Sequence, residues 1–97
     1  MQVHFASHEL ERCYADEQAA IRAWGPIVGP RYAVRVALPY QAGSLEDLGT
    51  YQVLHLHPLK GERAGQWALG LQGRWRLIVE LQGDDILVRE VSNHYGD

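Results

Sequence analysis

The second half of the chain alternates, and that alternation constrains the fold more than anything else in it. Trp67, Leu69 and Leu71 interleave with Gln66, Ala68 and Gly70. After Gln72-Gly73, Trp75, Leu77, Val79 and Leu81 interleave with Arg74, Arg76, Ile78 and Glu80. Gln82-Gly83-Asp84-Asp85 then leads into Ile86-Leu87-Val88-Arg89-Glu90-Val91. A period of two broken at glycine-containing turns predicts two consecutive hairpins, an antiparallel meander with one apolar face. That face needs a covering layer, which the first half of the chain has to supply.

Val3 and Phe5 suit a short first strand. Ser7 is placed to cap a helix whose first turn carries Glu9 and Glu11, matching the positive end of the helix dipole. Leu10, Cys13, Tyr14, Glu17, Ala20, Ile21 and Trp24 recur at helical spacing, and all but Glu17 are apolar enough to form one buried stripe. Gly25-Pro26 predicts the end of this helix. The residues 27–43 are ambiguous. Tyr32, Val34, Val36 and Leu38 alternate as a strand does, yet Ile27, Val34 and Leu38, or Val28, Tyr32 and Val36, equally line a helix face. Pro30 fits a first helical turn, whereas Pro39 strains a helix continuing past it. Residues 44–48 suggest a connecting turn, and the pattern from Gln52 onward reads as β. The order is that of an α+β fold, a single domain over residues 1–97.

A composition of 46% apolar and 22% charged residues belongs to a folded chain. A chain of 97 residues buries only about 60–65% of its unfolded surface, so its core is small. The single cysteine, Cys13, allows no internal disulfide, and no apolar run reaches the roughly 18 residues of a membrane span. Met1–Phe5 lacks the basic and apolar regions of a signal peptide. The expected location is the cytoplasm. A net charge of −3 argues against a generally basic, phosphate-binding protein. The distribution is uneven, however: Lys60, Arg63, Arg74 and Arg76 face only Glu62 between residues 60 and 76.

The stretch from Leu56 to Trp67 is a loop shaped by Pro58, Gly61 and Gly65, carrying His57 and Lys60. On the following hairpin Arg74 and Arg76 stand two apart, expected on one face of one strand and opposite the apolar one. The chain closes on Ser92-Asn93-His94-Tyr95. Metal-free RNA cleavage needs a base for the 2′-hydroxyl, cations for the phosphate and an acid for the leaving 5′-oxygen. His57 and His94 have the chemistry of base and acid, and Lys60 and Arg76 that of phosphate clamps. Tyr95 suits stacking on a base or proton donation.

The run HPLKGERAGQWALGL, the following GRWRLIVE and the ending EVSNHYGD resemble the plasmid-maintenance killer toxins called HigB, a branch of the RelE/ParE superfamily. ELERCYADEQAAIRAWGP and SLEDL are also similar to members of that family. The resemblance implies a short N-terminal strand and a two-helix hairpin packed on a small antiparallel sheet, so residues 27–42 are expected to be mainly helical. It implies a toxin of a type II toxin–antitoxin system, an endoribonuclease that cuts messenger RNA in the ribosomal A site by metal-independent 2′-hydroxyl attack. The implied catalytic residues are His57, Lys60, Arg76, His94 and Tyr95, with Arg63, Arg74 and Asn93 as RNA or phosphate contacts, and no cofactor. The implied partners are the ribosome with its mRNA and a helix-turn-helix antitoxin like HigA. DNA contact is expected only through that antitoxin. Two features differ from the family: Asn93-His94-Tyr95 stands where well-studied members carry Asp-Tyr-His, and the second helix offers only Arg31 and Arg35 as cations.

Two other readings are available: a ParE-like toxin that poisons gyrase and cuts nothing, and an inactive toxin retained as an antitoxin-binding module. For single residues there are plainer roles. The arginines suit a solvated sheet face, and His57 suits a loop hydrogen bond. Trp24, Trp67 and Trp75 suit core packing, and Cys13 a packed thiol. His55 and His57, taken as sharing a strand face, raise zinc only with His94, and no Cys or carboxylate spacing supports it.

Overall fold

The computed structural model describes residues 1–93. Its elements begin with β1 (Val3–Phe5), α1 (His8–Ala15) and α2 (Glu17–Gln41). The Ser7 cap forms as expected, its Oγ accepting from the Leu10 amide at 3.1 Å. The single helix expected from Ser7 to Trp24 is instead divided at Asp16, which sits in extended backbone (φ −131°, ψ 105°). Its carboxylate accepts from the Gln18 amide at 3.0 Å and so starts a new helix rather than continuing the old one.

Gly25 (φ 94°, ψ 171°) breaks α2 into arms 17–24 and 26–41. The positive φ is open to glycine at little steric cost, and Pro26 then occupies a first helical position, where its missing N–H is not needed. The ambiguous segment is therefore helical. Val28, Tyr32, Val36 and Pro39 take its buried side, while Ile27 and Val34 stay 61% and 59% exposed. Pro39 lies inside this arm, two residues before its end at Gln41, and leaves the Arg35 carbonyl without its helical amide partner.

The two arms touch backbone to backbone. A Cβ on Gly29 would lie 2.7 Å from the Ile21 nitrogen and 2.8 Å from the Ala20 carbonyl carbon. Tyr32, fully buried, secures the hairpin: its hydroxyl donates to the Leu10 carbonyl at 2.7 Å, and its ring lies 4.7 Å from Trp24. Burial pushes its phenol pKa up, so it remains a neutral donor. Tyr32→Phe is expected to cost about 1 kcal/mol, since the ring packing stays and one buried hydrogen bond goes. A urea titration should show a lower midpoint at unchanged slope.

After α3 (Leu45–Leu48) and a 3-10 turn at Gln52–Leu54 come β2 (His57–Pro58), a second 3-10 turn at Gly61–Arg63, β3 (Gln66–Gln72), β4 (Trp75–Gln82) and β5 (Asp85–Ser92). The β pattern expected from Gln52 is thus limited to two residues before Gln66. The meander β3-β4-β5 forms as expected, within a five-stranded sheet of order β1-β5-β4-β3-β2. The sheet is mixed rather than purely antiparallel, because β1 runs parallel to β5. Parallel neighbours need a long crossover, and the helices lie between these two strands in sequence.

Leu69, Leu71, Leu77, Val79, Ile86 and Val88 form one buried cluster with Leu10, Cys13, Tyr32 and Val36 of the helices. Trp24, Trp67 and Trp75 pack at its margin, whereas Leu81, expected on the same apolar face, remains 39% exposed. On the other face, among the described residues, Leu59, Ala68 and Ile78 form a small cluster to which none of the helices α1–α3 contributes. Among the described residues no helix is long and apolar enough to cross a membrane.

Candidate active site

The open face of the sheet collects the chemistry. Register places His57, Ala68, Ile78 and Glu90 in one row across β2 to β5, and Gly70, Arg76 and Ser92 in the next. Paired residues share a face, so His57 and Arg76 lie on the same side, with one strand between them and one two-residue step offset. Neighbouring strands are about 4.8 Å apart, so these backbones stand about 10 Å apart across the sheet. A ribose and its phosphate fit over that span.

His57 is oriented from behind. Its Nδ1 lies 2.9 Å from the His55 carbonyl oxygen. A carbonyl only accepts, so Nδ1 carries the proton and Nε2 of the neutral ring is the acceptor. Nε2 is buried and has no partner among the described residues. An unmatched buried polar atom costs about 1–3 kcal/mol, and such atoms are otherwise rare. His55 makes the contact possible through a left-handed backbone (φ 50°), uncommon outside glycine. The expectation that His55 and His57 share a strand face therefore fails. His55 ends a 3-10 turn and turns its carbonyl back to the imidazole. Nothing in the spacing His55-Leu56-His57 announces this, because the turn depends on how residues 52–55 meet β3. A Cβ on Gly70 would stand 3.3 Å from the Leu54 carbonyl.

Lys60 is exposed, and Gly61 (φ 64°) turns the chain directly after it. Among the described residues its side chain makes no hydrogen bond or ion pair, while its carbonyl accepts from the Arg63 amide at 3.2 Å. Arg63, expected as a phosphate contact, is instead held by two side chains of the sheet: its Nε donates to Gln66 Oε1 at 3.0 Å, and a terminal nitrogen pairs with Glu90. Sequence reading overlooked both partners: Gln66 lies only three residues further on, while Glu90, 27 residues away in β5, comes near only when the sheet forms.

Arg74 does not share a strand with Arg76, as had been expected. It lies in the β3–β4 turn, exposed, and β4 begins at Trp75. Arg76 folds toward that turn, its Nη1 donating to the Gly73 carbonyl at 2.6 Å and the Trp75 carbonyl at 3.0 Å. It lines an open cleft of about 310 Å³ together with Arg31, Arg35 and His55. Asn93 is exposed just past β5, next to the Ser92 that pairs with Arg76. The expected catalytic pair His94 and Tyr95 lies outside the described residues.

Cys13 is buried as expected; burial first, then the charge of Glu9, pushes its thiol pKa up, so it is a packed thiol and not a nucleophile.

No protein-family model matches the chain. The endoribonuclease HigB of Proteus vulgaris is 30% identical over 44 residues, 45% of this chain and 48% of HigB. The chain thus spans about half the length of the curated relative it matches. Among solved structures, YafQ from E. coli strain BL21(DE3) superposes with a TM-score of 0.68, at 15% identity, over 96% of this chain and 92% of its own. The chain has the fold of the RelE/ParE toxins. A further RelE/ParE-type structure, the E. coli DinJ-YafQ toxin-antitoxin complex, aligns with a TM-score of 0.55 at 17% identity, over 96% of this chain and 91% of the other. The likeness is one of fold over nearly the whole chain, and at 15% identity it assigns no role to the side chains of the open face.

Proposed function

We propose that this chain is the toxin of a type II toxin–antitoxin pair, an endoribonuclease that cuts messenger RNA in the ribosomal A site without a metal. The observation that carries the reading is His57, fixed through Nδ1 and holding a buried, unpartnered Nε2 on the face of the sheet that no helix of the described residues covers. The partial likeness to an endoribonuclease and the fold of a chain found in a toxin–antitoxin complex support it.

In this mechanism Nε2 of His57 takes the proton of a ribose 2′-hydroxyl, once RNA docking opens the cover over that nitrogen. The 2′-oxygen attacks the adjacent phosphorus, the bond to the 5′-oxygen breaks, and a 2′,3′-cyclic phosphate remains. The leaving 5′-oxygen takes a proton from the His94 imidazolium. Lys60 and Arg76 offset the charge that grows on the non-bridging oxygens. Tyr95 stacks on a base or orients the imidazole, and Arg74 and Asn93 meet flanking phosphates. Arg63 reaches RNA only by exchanging its Glu90 carboxylate for a phosphate. Both ends of that ion pair are partly exposed, so the exchange costs little. A helix-turn-helix antitoxin holds the toxin inactive in the cytoplasm.

The reading is tested by inducing the chain alone beside a Lys60→Ala/Arg76→Ala variant, with primer extension on a reporter transcript. Growth arrest with codon-phased cuts, both lost in the variant, is the expected result. Arrest without cuts would move the assignment to gyrase. No arrest would leave an antitoxin-binding module.

A further inference from the structure

Five of the eight arginines make side-chain hydrogen bonds or ion pairs among the described residues, and these five divide into two groups. Arg63 and Arg89 meet the carboxylates of Glu90 and Glu80. Among the described residues Arg31, Arg35 and Arg76 meet only backbone carbonyls: Arg31 Nη1 donates to Leu71 at 3.4 Å, Arg35 Nε to Gly70 at 3.0 Å, and Arg76 to Gly73 and Trp75. These carbonyls belong to the end of β3, its turn and the first residue of β4, beyond the two residues that β2 covers. The three guanidinium groups therefore gather around one cleft, whose lining includes no carboxylate. The arm 26–41 contains no Asp or Glu, and neither does the hairpin from Gln66 to Val79. Three cations held close together by neutral acceptors leave a positive potential that no carboxylate of the described residues lining the cleft offsets, on a molecule of net charge −3.

We propose that the cleft between the arm 26–41 and the β3–β4 turn is a phosphate-binding subsite for the RNA backbone. It lies apart from the His57 row, with Arg76 at the junction. Each guanidinium spends some of its five N–H groups on the carbonyls that orient it and keeps others for a phosphodiester oxygen. His55 links the two places: its carbonyl holds the His57 ring, and the residue itself lines the cleft. The strand whose 2′-hydroxyl meets His57 thus has a neighbouring phosphate anchored at Arg31 and Arg35, which sets register without reading base identity. Burial, then the neighbouring charge of Arg31, lowers the pKa of Arg35, as expected of a site lacking an anion. The subsite rests on the RNA-cleaving reading for the identity of its ligand.

The test is binding of a 2′-O-methyl oligoribonucleotide of twelve nucleotides, which cannot be cut, followed by fluorescence anisotropy across a salt series. Arg31→Gln/Arg35→Gln is expected to weaken binding about tenfold at low salt and to reduce the log–log salt slope by about 0.7, the share of one phosphate contact on a single strand. Arg31→Lys/Arg35→Lys, which keeps the charge, is expected to retain the wild-type slope. Thermal melts of both variants establish that they are folded. An unchanged slope in the glutamine variant overturns the proposal, as does an equal loss in the folded lysine variant. Failure of the wild type to bind the oligomer overturns the subsite alone. The cleavage reading stands or falls separately, on the primer-extension cuts.

Discussion

On the proposed mechanism, replacing His57 with asparagine is expected to lower the rate of messenger RNA cleavage by about 10²–10⁴-fold, the share that one positioned general base usually contributes. The substitution is chosen for its geometry. An asparagine amide nitrogen stands where Nδ1 stands and can still donate to the His55 carbonyl, so the loop keeps its anchor, but the side chain has no basic nitrogen to offer at the position of Nε2. The melting temperature should stay within a few degrees of wild type, and antitoxin binding should persist. Cleavage on programmed ribosomes, quantified by primer extension, checks the rate. A variant that cuts within a few-fold of wild type would remove His57 from the chemistry and leave it as a loop residue.

The largest effect on stability is expected at Gly29. Its position shows no strain of its own, being an ordinary helical residue, and the constraint is the arm 17–24 lying directly over it. A Cβ there meets backbone atoms of Ala20 and Ile21 at 2.7–2.9 Å, and backbone cannot rotate aside as a side-chain tip can. Gly29→Val is therefore expected to destabilise the protein by about 3 kcal/mol, the upper part of the range for overpacked cores. For a chain of 97 residues this lowers the melting temperature by on the order of 15 °C, measurable by circular dichroism. A loss below about 0.5 kcal/mol would mean that the two arms separate freely. Gly25→Ala tests a different cause at the same hairpin: nothing lies within 4 Å of its Cβ position, and any loss there reflects φ alone.

How far the sequence could be read depended on the range of the interaction involved. The meander was legible because alternation and turn glycines are local properties of β3, β4 and β5. The Ser7 cap and the Gly25-Pro26 break were legible for the same reason. Asp16 misled, although the residue type was visible, because an aspartate inside an apolar stripe reads equally as a surface position or as a new cap. The arm 26–41 fitted both periods, and only resemblance to a family favoured the helix. Val28, Tyr32 and Val36 decide the matter by packing against α1 and the sheet.

The candidate site shows the same division. His57, Lys60 and Arg76 could be named from residue type and resemblance, since a base and two cations are what the chemistry requires. Their surroundings could not. The pairing of Arg63 with Glu90, the carbonyl that orients His57, the place of Arg74 in a turn and the gathering of Arg31 and Arg35 beside Arg76 all join residues far apart in the chain or turn on local backbone geometry. The sequence by itself determined that a helical layer would cover one face of a meander, and which residue types could cleave RNA. Only the tertiary structure decided which arginines already have a carboxylate and which still lack an anion, because charge pairing depends on distances of a few ångströms that no spacing along the chain encodes.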